Sequence, residues 1–164
     1  MPRRSTWTLD ALKALASILA TLCASCASCA YAVVPADQIA ANVSSLVAAA
    51  LDAHTESAAF IAFEKLGEPG VPYIVSHLRD FRVLPLKAIS LENHSPQAFE
   101  GLRHYRPVTV HDALSAILNQ VTGQTFVFVY NGATNADRER NAAAWTTWCK
   151  AEYPAKTNVC SDGI

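Results

Sequence analysis

Between Asp37 and Ala53 the apolar residues Ile39, Val43, Leu46, Val47, Ala50 and Leu51 recur at three- and four-residue steps, which places them on one stripe of a helix. Asp37, two residues after Pro35, offers a carboxylate to the free first-turn amides. The same period predicts a helix over Glu56–Leu66, with Phe60, Phe63 and Leu66 inward and Gly67 as its stop. A third helix is expected over Gly70–Leu78, with Val71, Ile74, Val75 and Leu78 inward. Pro72 suits its first turn, where no amide donor is needed.

The rhythm breaks between Arg79 and Pro107. Pro85, Pro96 and Pro107 interrupt it, and Asn93-His94-Ser95-Pro96 is a turn signal. Ser95 is placed to cap a short helix over Gln97–Leu102; the rest reads as an irregular loop, of a length that is often functional. Periodicity returns over Thr109–Val121, with Ala113, Leu114, Ile117, Leu118 and Val121 on one face and Gly123 at the end. Thr125–Tyr130 is β-prone, either a short strand or an extended segment laid across the core. Thr134 and Asp137 form a capping box for a last helix running to about Glu152, on which Trp145 and Trp148 share a face. The expected fold is all-α: a single small domain of packed α-hairpins with a long irregular middle segment and at most one short strand.

The first 32 residues change the picture. Arg3, Arg4 and Lys13 precede an uncharged run from Ala14 to Ala30, and Ala30-Tyr31-Ala32 gives the small-x-small pattern before Val33. This is the layout of a cleaved secretory signal, and the run is shorter than the ~20 apolar residues of a membrane span. The alternative is lipidation at Cys26, which would tether the protein to a membrane surface. Against it, Cys23 stands where a large aliphatic residue is expected.

Cleavage would leave 132 of the 164 residues, enough for one domain. It would remove three of 13 basic and one of 14 acidic side chains, leaving 10 and 13. A mildly acidic chain lacks the basic face that nucleic-acid binding requires. Export, to a periplasm or beyond, also favours pairing of Cys149 with Cys160, the cysteines that would remain. Such a staple between the C-terminal tail and the last long helix is worth about 3 kcal/mol in the chain-entropy account. Two free thiols or a metal-binding pair are the alternatives.

Ala58–Leu78 resembles one HEAT-type repeat. Its first helix ends in Leu66-Gly67, and its second begins Val71-Pro72 before an aliphatic stripe. Ala113–Cys149 is similar to the end of some bacterial HEAT-like proteins, through the turn from Leu118 to Phe126 and the Trp145/Trp148 pair. The resemblance implies protein binding through exposed helix faces or loops and carries no catalytic residue.

Nucleophile, zinc and phosphate-loop motifs are missing from Val33 onward, and no cofactor is expected. His54, His77, His94, His104 and His111 include no pair at metal-ligand helical spacing. His104 and His111, with Glu100 and Asp112, are the one group that could converge into a metal or acid–base site. The middle segment gathers cations, and Arg82, Arg103, His104, Tyr105 and Arg106 are the candidate contacts for a partner protein. Arginine and tyrosine dominate binding hot spots; the alternative is a solvated loop whose Tyr105 packs onto the core. The functional expectation is an exported, non-catalytic protein-binding domain, of inhibitor or immunity type, using residues 79–107. A small histidine- or metal-dependent enzyme and a tethered structural lipoprotein are the competing readings.

Overall fold

The computed structural model describes residues 35–94 and 99–161. The expected signal, its cleavage site at Ala30, Ala32 and Val33, and the Cys26 alternative lie outside the described residues.

Helix α1, Ala36–Ala49, buries Val43 and Val47. It stops four residues short of the expected end because the chain turns: the Thr55 hydroxyl donates to the Ala49 carbonyl (2.6 Å), and Asp52 Oδ1 accepts from the His54 amide (2.8 Å). These side chains satisfy backbone groups that a longer helix would have used. Helix α2, Glu56–Leu66, ends at Gly67, whose φ of 57° favours glycine. A 3-10 turn, Glu68–Gly70, leads into α3, Val71–Ser76, in which every residue is buried.

The middle segment corrects two expectations. It is only partly irregular, and among the described residues it holds two short strands where at most one was expected. β1, Ile89–Glu92, pairs antiparallel with β2, Leu102–Tyr105. Leu102 opens a strand instead of closing a helix, and Phe99–Gly101 bend into it. The physical reason is burial: Ile89 and Leu91 alternate with Ser90 and Glu92, so one face of β1 packs against α2 and against α4, Val110–Thr122. An isolated bridge between Val83 and Thr109 ties down the start of the segment.

Helix α4 is the centre of the core, with Ala113, Leu114, Ala116, Ile117 and Leu118 all inaccessible to solvent. Its capping box joins Thr109 to Asp112, and its stop is Gly123 in the left-handed conformation. Thr125–Tyr130 forms no strand; it bends at Val127, turns at Tyr130, and is held by a bond from Asn141 Nδ2 to the Val127 carbonyl (2.6 Å). Helix α5, Asn135–Glu152, starts at the Thr134/Asp137 capping box. Trp145 is fully buried between the edges of Phe126 and Trp148, with ring centroids at 4.8 and 5.4 Å. A short helix, α6 (Thr157–Ser161), follows and packs on α3 and α5. Cys160 on α6 is disulfide-bonded to Cys149 on α5. Among the described residues no helix is long and apolar enough to cross a membrane.

Candidate functional site: the cleft beside the hairpin

The hairpin is held from beneath by helix side chains. On α2, Glu56 and Glu64 are eight residues apart, so they lie on one helix face with Phe60 between them. Glu56 Oε2 accepts from the Leu86 amide and Glu64 Oε1 from the Glu92 amide, both at 2.8 Å. Burial pushes the Glu56 carboxyl up, and the Leu86 and Lys87 amides only partly offset it. On α4, Gln120 is satisfied when its amide oxygen accepts from the Tyr105 hydroxyl (2.6 Å) and the Arg103 guanidinium (3.2 Å), while its nitrogen donates to the Glu92 carbonyl (3.1 Å). Both strands are thereby fastened to two helices.

Beside β2 opens a cleft of about 780 Å³, whose lining includes Phe99, Leu102, Arg103, Phe128, Tyr130 and Asn131. Phe99, Leu102 and Phe128 are 100%, 50% and 62% exposed, an unusual gathering of large apolar side chains in water. Arg103, His104 and Arg106 are exposed, and neither arginine has a carboxylate within ion-pair distance among the described residues. Tyr105 does not project. It is buried, its ring edge-on to Tyr130 at 5.8 Å, and it forms part of the cleft floor. The buried Tyr130 hydroxyl meets no hydrogen-bonding group at good geometry among the described residues. Burial pushes its pKa up, with the nearby Thr125 hydroxyl pulling the other way.

Arg82 is elsewhere. It lines a second cleft, of about 640 Å³, between α1 and the turn after α3, and its guanidinium is committed to Asp80. Burial pushes the Asp80 carboxyl up, but the Arg82 hydrogen bonds outweigh it and hold it below the usual range. Ser44 Oγ lies 3.3 Å from His77 Nε2 in this cleft. Asp80 is engaged by Arg82, and among the described residues Ser44 is the one side chain within hydrogen-bond distance of the His77 ring.

The expected convergence of His104, His111, Glu100 and Asp112 does not form. His104 lies on the solvent face of the hairpin, its Nδ1 2.8 Å from Ser90 Oγ. His111 is fully buried, with Nδ1 on the Leu78 carbonyl and its ring against Phe81, and burial holds its pKa down. Asp112 is buried against Arg138, and Glu100 lines the β2 cleft. Among the described residues no three His, Cys, Asp or Glu side chains are placed to hold a metal ion.

Sequence reasoning missed Phe128, Tyr130 and Asn131 as cleft residues and Glu64 and Gln120 as supports. The Asn131-Gly132 turn is the one local signal that marks the far wall. No protein family model, no curated protein and no solved structure gives a significant match to this chain.

Proposed function

We propose that this protein is an exported, non-catalytic helical domain that binds another protein through the cleft beside β2. The observation that carries the reading is the conjunction of Phe99, Leu102 and Phe128 with arginines lacking carboxylate partners, on a hairpin fastened to α2 and α4. Exposed apolar side chains rimmed by arginine are the usual composition of a recognition surface. The HEAT-type resemblance points the same way, toward helices that present a binding surface. An inhibitor or immunity-type role fits a small domain offering one firmly held recognition surface to an enzyme. The buried Cys149–Cys160 pair supports a working place in an oxidising compartment.

The test is affinity capture from the organism's own envelope extract, comparing the wild type with Arg103→Ala/Arg106→Ala. One stoichiometric partner retained by the wild type and lost by the variant is expected. Equal retention by both, or no partner with either, contradicts the reading.

A further inference from the structure

We infer that β2 is a strand-addition site, and that the partner enters the cleft as an extended, acidic segment pairing with β2 as a third strand. The inference rests on the binding role proposed above and specifies its chemistry.

The ladder identifies which backbone groups face the cleft. Antiparallel pairs alternate between those that exchange hydrogen bonds and those whose N–H and C=O groups point away from each other. The Asn93 amide donates to the Gly101 carbonyl (3.0 Å), which makes that pair a bonded one. Leu91–Arg103 and Ile89–Tyr105 are then bonded pairs, while Glu92–Leu102 and Ser90–His104 direct their backbone groups outward. On β1 the outward Glu92 amide is already taken by Glu64. On β2 the next outward amide, that of Arg106, donates to Asn131 Oδ1 (2.8 Å), so Asn131 occupies the place a third strand would take and marks its end. Between Asn131 and the hairpin tip, the outward N–H and C=O groups of Leu102 and His104 have no partner among the described residues.

An open edge is an ordinary hazard that proteins blunt or cover. Here it faces a walled cleft, with Tyr130 and Phe128 opposite. A strand needs about 4.8 Å of lateral room from its neighbour. Cross-strand neighbours share a face, so the incoming residue opposite Arg103 lies on the face of the Arg103 side chain. With Arg106 and His104 nearby, the local charge favours carboxylates over amines; among the described residues Glu100 is the single acid lining the cleft. Backbone pairing supplies affinity and the flanking side chains specificity, the general logic of β-augmentation.

The probe is an end-blocked peptide of about eight alternating Glu and Val residues, long enough for one strand, with a Lys/Val peptide as control. Both are added to the isotopically labelled, disulfide-bonded protein. Binding of the Glu/Val peptide is expected to slow solvent exchange of the Leu102 and His104 amides by about tenfold or more, with the Lys/Val peptide inert. Leu102→Pro removes one outward donor without touching a bond to β1, and proline is tolerated at such edge positions. It is expected to weaken the peptide by about tenfold while the Leu91–Arg103 contacts persist. Binding without amide protection, equal binding to Leu102→Pro in a folded hairpin, or no binding overturns the inference. Protection that rises with protein concentration alone also overturns it, making a second copy of the chain the occupant. A partner captured equally by wild type and Leu102→Pro, yet lost on Arg103→Ala, would leave the binding role standing and remove strand addition. No captured partner would instead count against the binding role, while the peptide result would still decide the pairing chemistry.

Discussion

Asp112 and Arg138 meet in a two-point ion pair, Oδ1 to Nε at 2.7 Å and Oδ2 to NH2 at 2.9 Å, at the junction of α4 and α5. Both side chains are almost entirely withdrawn from water. Asp112 also accepts from the Val108 and Thr109 amides, so one carboxylate caps α4 and anchors α5. Removing one partner of such a pair strands the other charge, at about 3–5 kcal/mol. Arg138→Met is expected to lose that much stability in urea titration. Arg140→Met, whose guanidinium makes an exposed pair with Asp137, is expected to lose under about 1 kcal/mol.

Acid should destabilise the fold through His111. Its folded pKa lies below the ordinary value because burial disfavours the imidazolium; the Leu78 carbonyl and the nearby carboxylates of Asp112 and Glu139 oppose this, and Arg138 reinforces it. The unfolded chain therefore takes up the proton first as pH falls. The neutral ring's contribution is complete above about pH 6.5 and is lost as pH drops from there through the folded pKa. His77, in the turn just after α3, is shifted down as well, chiefly by burial, and adds to the same slope. A His77→Gln background is expected to keep a slope, and His111→Gln within it to flatten the slope, in stability measured from pH 7.5 to 5. Unchanged slopes would remove His111 from the account.

Glu56 behaves with the opposite sign. Its raised folded pKa means its contribution is greatest below the ordinary carboxyl value, about 4.3, and is lost as pH rises through the folded pKa. Glu56→Gln keeps an acceptor for the Leu86 amide and removes the buried charge. The variant is expected to gain stability relative to the wild type as pH rises from 4 to 8. Glu56→Ala gives up the anchor and is expected to cost about 1–3 kcal/mol and to speed amide exchange at Leu86.

Reduction of the Cys149–Cys160 bond should release α6. The two cysteines are 11 positions apart, and α6 has only five residues, too few to be helical alone. Cys149→Ala/Cys160→Ala is expected to cost about 3 kcal/mol. Hydrogen exchange should localise the loss first to Thr157–Ser161, where α6 lies on α3 and α5.

Helices α2, α4 and α5 were legible because each carries a helical apolar pattern or its own punctuation: Asp112 in a first turn, Thr134 with Asp137, Gly67 and Gly123; the five-residue α6 is too short to show a period and was not foreseen. The hairpin was not. β1 has only four residues in which to alternate, and β2 buries Tyr105 alone, so Leu102-Arg103-His104-Tyr105 reads as a basic loop. Its pairing depends on carboxylates and an amide from α2 and α4, contacts that no local pattern encodes. The site was half legible for the same reason. Arg103, His104, Tyr105 and Arg106 are adjacent in sequence, whereas Phe128, Tyr130 and Asn131 reach the cleft only through the long-range path of the segment after α4. Arg82 is drawn away by Asp80 two residues before it.

The most direct measurement is photo-crosslinking in living cells from a benzoylphenylalanine placed at Phe128, 62% exposed on the cleft wall. A second protein carries the probe at Ser45, on the exposed side of α1. One discrete adduct with another protein from position 128, and none from position 45, is the predicted result. Adducts from position 45 alone, or none from position 128, would contradict the claim that the cleft beside β2 is the recognition surface.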